Sequence, residues 1–382
     1  MPADAAARPD LTRAALWRLA CAYAIATNGT ILMPLIVGAL MRRFGAGEDA
    51  ATGFAALEIA GIAISCAVFP RWIAHAPRRI AWIATLGAPL AQAAGAWMPS
   101  LAAVGGARLA TGLFEGALFV VVAASLSNRP AAERAWGAII LVSGVLDCAL
   151  LVGAYALPAG FASRWLFVVF GAAFLLVAWP AAAAGADAVH PAPASGSIRR
   201  TQRWSVLLPL WAVMILVYCV LSAQWALPDV IGHRVGLASE RIGPMLALVS
   251  LLGTSGALAA SHRRSHALRL PILWAAQLVM AGAVLWFFLV RGAAGFFAAQ
   301  LLVSFAFYAV TPFLTSRLSG LDEDGSLLSR SIVITFAAAA AGTALAGTLL
   351  AQLGGLGCGL ALAGCALLAM PFAWKAFGRR AA

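Results

Sequence analysis

The sequence predicts an all-α polytopic membrane protein with twelve transmembrane helices in two pseudo-symmetric six-helix bundles. The first observation behind this is composition: 63% of the 382 residues are hydrophobic and only 10% are charged, where soluble domains carry about a quarter charged residues. The second is run length. Apolar stretches of about 20 residues, enough to cross about 30 Å of hydrocarbon at 1.5 Å per residue, recur from Leu19 to Ala373 and leave no interval for a soluble domain. They are continuous rather than alternating, which selects helices over the other lipid-compatible solution, a closed barrel. The third is a repeat in where these stretches begin.

Taken in order, the segments are 19–41, 51–70, 80–98, 101–126, 136–156, 164–182, 204–227, 243–260, 271–290, 293–316, 330–353 and 358–374. The first follows Arg13 and Arg18 as a secretory signal would, but it reaches about Leu40 without a small-residue cleavage site and is a span. Arg42 and Arg43 separate it from the second, and the loop with Arg71, Arg78 and Arg79 separates the second from the third. Trp97 closes the third at the interface; the fourth ends before Arg129, and the fifth begins after Arg134. Arg164 and Trp165 open the sixth, and Trp204 opens the seventh after Arg199, Arg200 and Arg203. Arg234 and Arg241 precede the eighth, Arg263, Arg264 and Arg269 the ninth, and Arg291 the tenth. Arg317 and the acidic stretch 321–330 precede the eleventh, and Trp374 and Lys375 end the twelfth.

The formal charge of +12 would suggest nucleic-acid binding in a soluble chain. Here the bases sit in short clusters between spans and report topology, with no nucleic acid implied. One set of alternating loops and both tails holds nineteen Lys and Arg, the other set holds six, and Arg108 is the remaining one of 26. The positive-inside rule then puts both termini in the cytoplasm of a multi-pass inner (plasma) membrane protein. Six cysteines, Cys21, Cys66, Cys148, Cys219, Cys358 and Cys365, fall inside apolar segments without pairing or metal spacing, so neither metal nor cofactor is expected.

The longest polar interval, rich in Pro, Ala and Ser, is 185–203. It divides an N-terminal six-helix bundle, 1–184, from a C-terminal one, 204–382, as a cytoplasmic linker. Segment starts 51 and 243, and 101 and 293, both differ by 192 residues. Two matched halves around a mid-membrane site are a transporter layout.

That layout and several motifs resemble the major facilitator superfamily. "RLATGLFEGA" from Arg108 resembles its fourth-helix Arg-x-x-x-Gly motif, and "SRWLFVVFGAAF" (163–174) its entry to helix six. The loop "PRWIAHAPRR" (70–79) stands where that family carries Gly-x-x-x-Asp-Arg-x-Gly-Arg-Arg; only Arg78 and Arg79 are kept, and they are the candidate gating residues. In helix five Gly144 and Gly153 are kept, but Cys148 and Ala149 replace the Gly-Pro of the family's antiporters. The resemblance implies secondary active transport by alternating access.

Within the spans only Glu58, Glu115, Asp147 and Arg108 are ionisable well inside. Each costs at least about 2.5–3.5 kcal/mol near the bilayer centre when uncompensated, so all four are expected to face the interior and pair. Counting depth along the segments puts Arg108 and Glu58 about 10 Å, and Asp147 about 14 Å, below one edge, so these three can meet. Glu115 lies one face-repeat from Arg108 but about 10 Å further along the helix, a second station rather than a direct partner. Desolvation opposes charge on a buried carboxyl and Arg108 supports it, a balance suited to proton coupling; the competing reading is a permanent structural ion pair. Asn28, Gln224, Gln300 and Tyr308 are the candidate substrate contacts, Tyr308 and Gln300 on a polar stripe with Ser304, Thr311 and Thr315.

The predicted function is proton-coupled transport of a small organic solute by a monomer in the lipid bilayer, with efflux by antiport favoured over uptake by symport of a small organic solute, an anionic one included. A membrane-embedded enzyme or a receptor is the different-class alternative. His75, His190, His233, His262 and His266 all fall in loops, and no nucleophile or metal array accompanies them.

Overall fold

The computed structural model describes residues 11–73, 75–126, 132–158, 161, 163–187, 204–258, 268–319, 321 and 326–378. Most of the predicted linker lies outside the described residues, as does the 262–267 loop. Every element in the described residues is helical. In chain order they are α1 (Arg13–Ile31), α2 (Met33–Phe44), α3 (Glu48–Val68), α4 (Pro70–Ile73), α5 (Pro77–Ala94), α6 (Leu101–Leu126), α7 (Ala132–Tyr155), α8 (Leu166–Leu176) and α9 (Ala178–Ala183). The second part of the chain forms α10 (Trp204–Trp225), α11 (Pro228–Arg234), α12 (Ser239–Gly253), α13 (Arg269–Leu289), α14 (Ala293–Ser319) and α15 (Ser326–Phe377), with short 3₁₀ turns after α5, α9 and α12.

Seven of these helices are long and apolar enough to cross a membrane alone, and nine crossings result when each of two bent pairs is taken as one. The predicted first segment is broken: α1 and α2 meet at Leu32 with a 49° bend. Pro34 opens α2, and its ring, lacking an N–H, clashes with a continued helical turn. The predicted sixth segment is likewise bent by 58° between α8 and α9, with Pro180 placed to disrupt the turn before it. In the opposite sense, the two final predicted segments run together as α15, 52 residues with a break at Gly354, whose φ of 65° is the left-handed conformation that glycine adopts without a Cβ penalty.

Large apolar side chains point outward around the bundle: Leu90, Leu141, Leu176, Trp179 and Leu258 are each more than 60% exposed. Such a surface is costly in water and natural in lipid. Inside, α3 packs along α6 and along α15, α7 lies between α1 and α12, and α10 lies on α15. The α3–α6 seam is made by absent side chains. A Cβ on Gly112 would overlap the Glu58 carbonyl, one on Gly61 would press on the Leu109–Gly112 backbone at 2.5 Å, and one on Gly116 would press on Ser65 and Ile62. Ser65 adds a hydrogen bond to the Leu113 carbonyl across the seam. The same contact recurs 192 residues on, where Gly253 of α12 meets Ser304 of α14 as Gly61 meets Gly112.

The end of the bundle away from the chain termini is tied shut. Arg42 donates to Asp229 at 3.0 Å, Arg234 pairs with Glu48, and Trp225 donates to the Ile31 carbonyl at 3.1 Å. The Gly347 N–H donates to Thr52 at 3.2 Å, and Gly243 sits against the Tyr155 ring. Arg43 donates to the carbonyls of Gly95 and Ala96 at 2.6 and 3.0 Å, and Arg164 shares the latter. Toward the termini, Phe119 of α6 meets Phe336 of α15 edge-on at 5.1 Å.

The seam makes a stability prediction. Gly112→Ala is expected to cost about 1–3 kcal/mol by overpacking, seen as a lower midpoint in detergent thermal unfolding, while Gly53→Ala, which meets nothing within 4 Å, keeps the wild-type midpoint.

Candidate functional site

Arg108 is the largest fully buried side chain in the described residues, 1% exposed, and it occupies the middle of α6 beside the glycine seam. Its guanidinium pairs with Glu58 of α3, donates to the Gln92 carboxamide of α5, and lies 5.8 Å from the centre of the Phe167 ring of α8. Both the pair and the amide are fully buried. Glu58 is in turn seated on Gly29 of α1, where a Cβ would strike its carboxyl group. Five helices, α1, α3, α5, α6 and α8, therefore converge on one ion pair. The sequence reading placed Arg108 and Glu58 together and missed Gln92, whose signal was available: an amide with no aqueous neighbour, in the middle of an apolar segment.

The expected three-way meeting with Asp147 does not form. Among the described residues no ion pair joins Asp147 to Arg108, and the charge that interacts with Asp147 is Glu115. Depth gives height in the membrane but not direction around the helix. The α7 helix packs on α1 and α12, not on α3, so Asp147 is carried on a side of the bundle away from Glu58. Glu115, wholly buried, is within electrostatic reach of both Arg108 and Asp147 and faces the Gly29 backbone, and no ion pair is formed by it among the described residues.

Asn28 is 1% exposed, with its amide nitrogen unpartnered, and with Asp147 it lines a cavity of about 230 Å³ among α1, α7, α8 and α9. Gln224 of α10 and Gln300 of α14, chosen as separate substrate contacts, are hydrogen-bonded to each other and fully buried. Tyr308 stacks edge-on with Phe307 at 5.3 Å, and Phe307 with Tyr218 at 5.0 Å. The remaining polar stripe is spent locally, since Thr311 and Thr315 donate to carbonyls one turn back, as Thr27 does on α1. Arg78 and Arg79 are exposed at the start of α5, where with His75 they line a surface cavity of about 440 Å³ against Gly185 and Ala186.

No protein-family model and no curated protein matches the sequence. Solved structures do. A bacterial homologue of the human lysosomal transporter Spinster, in an inward-facing and occupied conformation, superposes with a TM-score of 0.72 at 15% identity, over 94% of this chain and 96% of that one. The fold is that of the major facilitator superfamily. Two further major facilitator structures align as fully: the human organic anion transporter MFSD10 (TETRAN), TM-score 0.65 and 20% identity over 94% of this chain and 99% of that one, and a D-xylose-proton symporter, TM-score 0.67 and 17% identity over 95% and 96%. All three are transporters and none is an enzyme. Their descriptions differ in solute, so the major facilitator fold leaves the chemistry to the residues of the site.

The buried pair predicts an asymmetric double-mutant cycle. Glu58→Gln alone strands the guanidinium and is expected to cost about 3–5 kcal/mol, whereas Glu58→Gln with Arg108→Gln recovers most of the loss. Thermal unfolding of the three variants by fluorescence-detected size exclusion reads this directly.

Proposed function

We propose that the protein is a secondary active transporter that moves a small organic solute by alternating access, coupled to protons through Glu115. The observation that carries this is a wholly buried carboxyl with no ion pair among the described residues, within electrostatic reach of an arginine already engaged by another carboxylate and of a second acid on a different helix. Arg108 supports charge on Glu115; Asp147 and desolvation oppose it. A movement of α7 relative to α6 changes that balance, so conformation and proton occupancy are linked. The charged groups inside the described spans around it are Arg108, Glu58 and Asp147, and the same helices carry Tyr23, Cys21, Cys66 and Cys148 within the membrane. The fold, and the D-xylose-proton symporter among its neighbours, support the reading.

In this proposal residues 1–184 and 204–382 are the two moving bundles and 185–203 joins them. The distribution of basic loops places the termini in the cytoplasm of the inner membrane, so the sealed end faces outward and the structure is the inward-facing state. The two inward-facing Spinster homologue structures, with TM-scores of 0.72 and 0.71, are consistent with this assignment. Transport is by a monomer, in the direction of efflux with protons exchanged inward.

Two experiments test the proposal. In proteoliposomes loaded with a pH dye, a solute found by thermal-shift screening of metabolites and antibiotics drives proton movement in the wild type, and Glu115→Gln is expected to reduce it to background; unchanged proton movement would remove Glu115 from the coupling role. With the native cysteines replaced, Glu48→Cys and Arg234→Cys, joined by a bifunctional maleimide, are expected to stop solute flux, because the sealed end can no longer part. Flux at the wild-type rate after complete cross-linking is incompatible with alternating access through that end.

A further inference from the structure

The sealed end is closed by an ion pair with a titratable side chain built into it. Asp229 of α11 is 3% exposed. Its Oδ2 accepts from Arg42 of α2 at 3.0 Å and lies over Gly38, one turn earlier on α2, where a Cβ would strike it. Its Oδ1 lies 3.7 Å from Nδ1 of His233, one turn further along α11. The imidazole is fixed from both sides: Nδ1 donates to the Asp229 main-chain carbonyl at 2.6 Å, and Nε2 is 3.2 Å from the hydroxyl of Ser239, the first residue of α12. A hydroxyl donates to a neutral ring and accepts from a protonated one, so His233 takes up a proton without losing a hydrogen bond. Its side chain is 43% exposed, open to the solution on that side.

The two cationic partners of Asp229 differ in where they are anchored. Arg42 stands on α2 and reaches across the seal, whereas His233 is on the same short helix as Asp229 and travels with it. The elements packed on α11 are α2 and α12. The other charged and titratable groups they and their neighbours bring toward the pair are Glu240 and Arg241 in the first turn of α12 and Tyr155 of α7, which reaches the Asp229 carboxylate. Arg43 of α2 is spent on the Gly95 and Ala96 carbonyls, and Arg234 of α11 on Glu48 of α3. Counting charges gives the sign. With the end sealed, Arg42 already neutralises Asp229, and a proton on His233 sets a second cation beside one carboxylate. With the end parted, Arg42 is withdrawn from Asp229 while His233 stays, and the same proton completes a neutral pair. Protonation therefore stabilises the parted state more than the sealed one, and by linkage acid on that side favours parting.

We propose that His233 and Asp229 form a second proton site, at the sealed end, whose occupation opens that end. This rests on the alternating-access reading and deepens it by naming what releases the seal. Arg42 holds the end shut as the counter-ion from across the seal, and protonated His233 replaces it from within α11. Protons on the outer side then open the face through which protons enter.

The test is the distance across the seal, read by double electron–electron resonance on the protein in lipid nanodiscs. The native cysteines are replaced, and spin labels are placed at Asp49→Cys and Ala238→Cys, two exposed positions on opposite sides of the seal. Between about pH 8 and about pH 5, the range in which imidazole titrates, the ratio of the longer to the shorter distance is expected to rise about fivefold or more, the lower end of couplings between sites. His233→Gln is expected to keep the alkaline distribution in acid, and His233→Lys, a fixed cation, to show the longer distance in alkali. Glu115→Gln is expected to keep the wild-type response, which separates this proton site from the buried one. A response that survives in His233→Gln, or that disappears in Glu115→Gln, overturns the proposal. Both distances present in a ratio that does not change with pH overturns it and leaves alternating access standing. The shorter distance alone at every pH, in Arg42→Gln as well as in the wild type, removes alternating access through this end and the proposal with it.

Discussion

A guanidinium cannot stay charged in the middle of a lipid-embedded bundle without a partner delivered to it, and the centre of this protein is organised by that requirement. Glu58 reaches Arg108 only because α3 and α6 approach more closely than side chains normally allow. Gly112 lies beneath the Glu58 carbonyl and Gly29 beneath its carboxyl group, so the acid is fixed from below and from the side by residues that contribute no atoms of their own. Gln92 then takes up a further Arg108 N–H from α5. Small residues that permit close helix approach and a buried charge that demands it are two aspects of one local solution.

The two parts of the chain repeat this packing without repeating its chemistry. Gly61 against Gly112 and Gly253 against Ser304 are the same contact 192 residues apart. Advanced by that offset, however, Arg108 falls on Gln300, which meets Gln224 in place of a carboxylate. The ionisable interior belongs to α3, α6 and α7, and at the same offset Glu58, Glu115 and Asp147 fall on the uncharged Ser250, Phe307 and Ala339. The ionised interior is thus confined to the first part of the chain, and the closed end, tied by Arg42 to Asp229 and Arg234 to Glu48, links that part to the second.

Much of this was legible in the chain. Run length and loop charge located the helices, and the cost of burial singled out Arg108, Glu58, Glu115 and Asp147 as interior residues before any coordinates. What the sequence withheld were quantities that depend on rotation and tilt. Asp147 is buried, yet α7 packs on α1 and α12 rather than on α3, a choice that no single-helix pattern encodes. Gln224 and Gln300 each looked available because their mutual bond joins residues 76 apart. The bends at Leu32 and Val177 were hinted at by Pro34 and Pro180, but apolar run length is blind to direction, and a kinked span reads the same as a straight one. Gln92 was overlooked for the converse reason, since a neutral amide is a weaker signal than a charge although it occupies an equally dry site.

The arithmetic of the interior bears on the proposed coupling. Three carboxyls face one guanidinium, and the ion pair uses one of each, leaving Glu115 and Asp147 within reach of each other. Charge on both acids at once is opposed in a medium of low dielectric constant, so a positive charge held at either one relieves the other. A second arriving at the other site gains less, because the repulsion it would have removed has already been removed. Occupancy of one acid by a positive charge therefore weakens the gain from occupying the other, and linkage makes that opposition reciprocal. Under the proposed coupling, negative linkage of this kind is the condition for exchange rather than co-transport, and its physical source is two acids on neighbouring helices, Glu115 of α6 and Asp147 of α7, facing a single base already paired.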